Sequence, residues 1–140
     1  MLFRSWGRVV EQRALAAFIQ EGHYTRHLQR MRRLYVERLG ALRTALMSQW
    51  PWPLALEGET CGMHVVLRLP EGVDDQAVAR ALTERGLGAR ALSSYHVCDD
   101  QPHVDLGGLV LGYAHVPAQD MSSCVKALTE AVRACEVTNA

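Results

Sequence analysis

Along this chain, apolar residues recur every three or four positions in some stretches and every second position in others. Within residues 12–21 (QRALAAFIQE), Ala14, Leu15, Phe18 and Ile19 fall on one helical stripe, and Gly22 ends it. From Thr25, a suitable N-cap, to Gln49, the residues Leu28, Met31, Tyr35, Leu39, Leu42 and Leu46 keep the same spacing and predict one long helix. The segment WPWP (50–53) stops it, because proline lacks the N–H and restricts the residue before it.

The period then changes. Residues 54–70 (LALEGETCGMHVVLRLP) read as a short strand, a turn and a longer strand in which Met63, Val65, Leu67 and Leu69 alternate with His64, Val66 and Arg68. Asp74 is placed to cap a helix carrying Val78, Ala81 and Leu82, which Gly86 closes. GARALSS (88–94) and GLVLGYA (108–114) predict two further strands, with a turn-rich loop between them. Pro117 suits the first turn of a last helix with Met121, Cys124, Val125, Leu128, Ala131, Val132 and Cys135 on its inner stripe. Two helices, two strands, a helix, two strands and a helix predict a two-layer α+β domain. Its antiparallel-rich sheet of three to four strands would carry the helices on one face.

Composition narrows the function classes. The net charge is zero, which gives no electrostatic case for direct nucleic-acid binding or for an anionic membrane. Arg26, Arg30, Arg32, Arg33, Arg38 and Arg43 are read as the solvated face of the long helix. No apolar run approaches the roughly 20 residues of a membrane span. The opening MLFRSWGRVV lacks the apolar stretch and cleavage site of a signal peptide. Cys61, Cys98, Cys124 and Cys135 have no CxxC spacing and read as reduced thiols of a cytoplasmic protein. Lys126 is the one lysine among 15 basic residues, so any Schiff-base chemistry on this chain would fall to it. Its position beside the inner stripe of the last helix favours a solvated surface lysine instead.

Four strings carry a resemblance. ALAAFIQEGHYTRHLQRMRRLYVERLGAL (14–42), GMHVVLRLP (62–70), GVDDQAVARALTERGLGARALSSYH (72–96) and GLVLGYAHVP (108–117) resemble, in this order, the C-terminal small domain of MocR-type regulators. In those proteins a GntR-type winged helix is joined to a fold-type I aminotransferase domain that uses pyridoxal phosphate (PLP). The resemblance covers about Gln12 to Glu136, which leaves residues 1–11 as a poorly matching leader before the domain at 12–140. It implies the small-domain fold of the fold-type I aminotransferases and a part in an effector or PLP cleft. It also implies no catalysis by this chain alone, because the lysine segment and the winged helix are not among the matching strings. The alternative is the C-terminal domain of a true PLP-dependent aminotransferase acting on a 2-aminoadipate-type substrate. The implied partners are a PLP-binding large domain and a second copy, or self-association through an apolar face of the first helices.

The resemblance also marks candidate residues. Aminotransferases of this fold often carry, in the strand matching GLVLGYA, an arginine that grips the substrate carboxylate. This chain has Val110 there, which argues against an ordinary α-amino-acid transaminase. Tyr95 and His96, with the loop after them, match the part of the small domain that faces the cofactor cleft. His96, Cys98, Asp99 and His103 contain zinc-ligand types, but their spacing matches no standard structural site, and no metal is assigned. His23, Tyr24 and His27 with Arg30 are assigned a structural part at the break between the two helices.

Overall fold

A computed structural model describes residues 9–58, 62–95 and 107–138, and it divides the chain into two compact units, Met1–Leu34 and Tyr35–Ala140. The first unit contains helix α1 (Val9–Gln20) and the beginning of helix α2 (His23–Gln49). Gly22 separates the helices at φ 78°, the left-handed geometry that ends a helix cheaply only at glycine. Its amide donates to the Ile19 carbonyl at 3.0 Å. The Phe18 ring stacks on His23 with centroids 5.7 Å apart, and Arg26 lies 3.0 Å from His23 Nδ1 and donates to the Glu21 carbonyl. These local contacts give His23 and its neighbours the structural part expected of them. The second helix starts at His23, so Thr25 lies inside its first turn and is not the N-cap. Gly22 already turns the chain there, and the Arg26 amide bonds back to its carbonyl.

In the second unit the apolar seam of α2 becomes core. Leu42, Ala45, Leu46 and Trp50 are buried with Val65, Leu67, Leu109 and the inner faces of the last two helices. The sheet consists of β1 (Leu56–Glu57), β2 (His64–Arg68), β3 (Ala89–Ala91) and β4 (Gly108–Gly112). Its order is β1-β2-β4-β3, and every pairing is antiparallel. Helix α3 (Asp75–Glu84) and helix α4 (Met121–Thr138) contribute Val78, Leu82, Val125, Leu128, Ala131 and Val132 to the same core. The buried strand residues Val65, Leu67, Ala91 and Leu109 share one side of the pleat, so the helices pack on that side and the other remains open.

Several sequence-predicted details hold and others shift. Asp74 caps α3 by accepting from the Gln76 amide at 2.9 Å, and Gly86 turns the chain at φ 75°. The strand expected over 88–94 stops at Ala91, and Leu92–Tyr95 form a short 3-10 helix. A buried carboxylate causes that change: Asp75 accepts from the Ser93 amide at 2.9 Å and from its hydroxyl at 2.6 Å, drawing the chain out of the sheet. Pro117 precedes a second short 3-10 helix, Ala118–Asp120, which leads into α4. Arg38 leaves the solvated arginine face: it is half-buried and donates to the Ala114 carbonyl. Among the described residues, no helix is long and apolar enough to cross a membrane.

Candidate functional site

The open side of the sheet carries His64, Val66 and Arg68 from β2, Arg90 from β3, and Gly108, Val110 and Gly112 from β4. A concavity of ≈ 840 Å³ lies over this side, and Arg90, Tyr95, Val110, Gly112, His64 and His115 are among the residues that line it. Two of the three site residues singled out from the sequence, Tyr95 and Val110, therefore meet in one depression. The third, His96, lies outside the described residues, as do Cys98, Asp99 and His103.

Val110 stands at the middle of β4, paired with Val66 on one side and Arg90 on the other. In an antiparallel pair, residues directly opposite project to the same face. Arg90 thus rises beside Val110, and its Nη1 lies 3.5 Å from the Tyr95 hydroxyl, itself at the rim of the concavity. Tyr95 is brought there by the 3-10 helix that Asp75 anchors. The same carboxylate also accepts from the Gly108 amide at 3.3 Å, so one buried group holds both the start of β4 and the segment leading to Tyr95. Gly108 permits that approach, since a Cβ there would stand 3.1 Å from the Leu67 carbonyl oxygen and 3.2 Å from Leu92 Cδ2.

Two imidazoles occupy the other end. His64 pairs with Gly112 across β2 and β4, and the missing side chain leaves the space the rings use. A Cβ on Gly112 would meet His64 Nε2 at 3.5 Å and His115 Cε1 at 4.0 Å. His115 is set by the turn after β4, where Tyr113 donates from its amide to the Met63 carbonyl and from its hydroxyl to the Gly62 carbonyl at 3.0 Å.

Sequence reasoning did not select Arg90, His64, His115 or Asp75. Arg90 and His64 hold outward positions of period-two strands, a signal that marks a face but not what the face is for. Asp75 sits beside the cap Asp74, so its burial follows from tertiary packing alone.

Lys126 is exposed on α4 and is not among the residues lining the concavity. The described residues there include no other lysine, so they do not fit a Schiff-base site for PLP, and they form no His/Cys/Asp/Glu group able to hold a metal ion.

No protein-family model matches this chain. The chain is 34% identical over 134 residues to the probable rhizopine catabolism regulatory protein MocR of Rhizobium meliloti, covering 92% of this chain and 25% of that protein. It is 26% identical over 120 residues to the HTH-type transcriptional regulator YhdI of Bacillus subtilis, covering 86% of this chain and 25% of that protein. The chain thus spans about a quarter of these relatives. Among solved structures it resembles a multiple substrate aminotransferase from Thermococcus profundus, with a TM-score of 0.73 at 20% identity over 87% of this chain and 29% of that one. LysN, the alpha-aminoadipate aminotransferase of Thermus thermophilus, gives a TM-score of 0.73 at 22% identity over 89% of this chain and 31% of that one. That LysN structure holds N-(5'-phosphopyridoxyl)-L-leucine.

Proposed function

We infer that this chain, an aminotransferase-like domain that matches about a quarter of the length of its regulator relatives, forms one wall of an effector cleft of a MocR-type regulator and catalyses nothing alone. The open side of its sheet is the cleft surface, and a separate large domain supplies PLP and the lysine that holds it.

The observation that carries this reading is the pairing of a retained aminotransferase fold with Val110 at the centre of β4. The strand that often grips a substrate carboxylate here presents an aliphatic side chain. Removing that grip suits a cleft that senses a ligand better than one that turns it over. The exposed position of Lys126 on α4 agrees, because no lysine reaches the concavity among the described residues. A true aminotransferase of 2-aminoadipate type would share the fold but gains no support from Val110.

The partners follow from the first helix. No residue of α1 is buried, although Leu15, Phe18 and Ile19 form an apolar stripe. In the assembled protein that stripe is covered by the large domain or by a second copy.

A PLP titration of the purified chain with borohydride trapping tests the reading. The expected result is no saturable internal-aldimine absorbance and no reduced adduct. A stoichiometric adduct on Lys126 would overturn it. A winged helix and a lysine-bearing aminotransferase segment encoded beside the chain would favour a regulator, and the lysine segment without the winged helix a transaminase.

A further inference from the structure

We propose that the concavity binds an oxyanion through Arg90, so that the anion grip sits on β3, one strand away from Val110. The proposal deepens the cleft reading above and rests on it only for what the bound group belongs to. The binding itself is a property of this chain.

Arg90 and Val110 are register partners, so the guanidinium stands on the same face as the valine and reaches over the same space. A guanidinium carries five N–H donors in a planar fork that matches two oxygens of a carboxylate, sulfonate or phosphate. The Tyr95 hydroxyl, a neutral group at 3.5 Å, takes up one of those donors at most. No carboxylate pairs with Arg90 among the described residues. Arg90 and Tyr95 also line a neighbouring depression across the edge strand that holds Glu84, and Glu84 makes no ion pair with Arg90 among the described residues. An exposed arginine is ordinary; one that faces a concavity beside a tyrosine hydroxyl, with no carboxylate on its fork among the described residues, is placed for a ligand.

The rest of the lining agrees in sign. No aspartate or glutamate is among the described residues that line the concavity, although the whole chain carries 15 of them and is neutral overall. His64 and His115 converge over Gly112 at the far end and offer ring N–H donors there. Between these ends the floor is Val110 and Gly112, one short side chain and none. From strand geometry, the backbone of His64 and that of Arg90 are roughly 12 Å apart across β4. That leaves room for a small anion-bearing molecule lying over β4, its oxyanion on the Arg90 fork and its other end at the imidazoles.

Amide NMR titration of the full chain with acetate, sulfate and phosphate at constant ionic strength tests this, with acetamide as the neutral control. At least one anion is expected to shift the Val110 and Gly112 amides saturably while acetamide does not. The anion that acts at the lowest concentration identifies the class. Arg90→Gln is expected to raise that dissociation constant about tenfold or more, since hydrogen bonds to a charged partner are lost. Arg90→Lys keeps the charge but not the fork and should fall between the two. Arg90 is exposed, so both variants should retain the wild-type spectrum elsewhere. If Arg90→Gln titrates like the parent chain, the assignment fails while the cleft reading stands. If the anions shift only residues outside β3 and β4, the concavity is not an anion site. The borohydride experiment tests the cleft reading separately.

Discussion

The Asp75 carboxylate accepts from both the amide and the hydroxyl of Ser93, at 2.9 and 2.6 Å, while itself being only 5% exposed. A third bond, from the Gly108 amide, makes this carboxylate the junction of α3, the Tyr95 segment and β4. Removing it leaves three donors without their acceptor. Asp75→Ala should therefore destabilise the chain by about 2–3 kcal/mol, seen as a lower urea midpoint with the slope retained. Ser93→Ala loses only the hydroxyl bond and should cost about 1 kcal/mol. In the double variant the two effects should fall short of additivity, because both report the same contact. Full additivity would show that the bond contributes nothing.

Gly108 is predicted to resist substitution for a different reason. An added Cβ would stand 3.1 Å from the Leu67 carbonyl oxygen, which belongs to a paired strand and cannot swing away. Gly108→Ala should cost about 1–3 kcal/mol through this overpacking. Gly112→Ala meets only the His64 and His115 rings at ordinary contact distances, and its stability should change far less. Thermal unfolding of the two variants side by side decides the matter. Equal losses would remove the backbone clash as the cause.

The two described cysteines should be poor nucleophiles. Burial, first among the causes, pushes the Cys124 thiol above its ordinary range, with Asp120 adding to it and the Ser123 hydroxyl partly offsetting it. Cys135 is pushed up chiefly by burial and also by Asp74. A raised acid pKa keeps the neutral thiol, and the thiolate is the reactive form. In a Cys61→Ser/Cys98→Ser background at pH 8, iodoacetamide should label both several-fold more slowly in the native chain than in urea. Because the folded thiols ionise later than the unfolded ones, their contribution to stability is complete below the unfolded value, near pH 8.5. It declines as the pH rises through the folded values. Native-state labelling as fast as in urea would contradict the burial seen here.

The elements were legible where the signal is local. The 3.6-residue spacing of Leu39, Leu42 and Leu46, and of Val125, Leu128 and Val132, already names most of the helix-borne core. The Asp74 cap and the Gly86 stop can likewise be read from neighbouring residues. The site was legible only in part. Tyr95 and Val110 were marked by resemblance, but nothing local places Arg90 beside Val110: that requires β4 to insert between β2 and β3. The early end of β3 was hidden for the same reason, since Asp75, which draws Ser93 out of the strand, lies 18 positions away. The outward alternation of His64 and Arg90 could be seen, yet which face lacks helices is decided by packing.

Helix α1 leads to the last prediction. Its apolar side chains are unusually open, with Leu15 57%, Phe18 42% and Ile19 49% exposed. An apolar stripe of this kind drives association when its natural cover is missing. The purified chain should therefore form dimers or larger species by light scattering and bind a hydrophobic dye. Leu15→Ser with Ile19→Ser should shift it toward monomer and reduce the dye signal. Because neither residue belongs to the buried core, the unfolding midpoint of the dilute chain should scarcely move. Leu46→Ala, which empties a fully buried position, should instead cost about 2–5 kcal/mol without relieving association. A parent chain that scatters as a clean monomer with little dye binding would mean that this stripe requires no cover, and the proposed large-domain or second-copy contact would have to lie elsewhere.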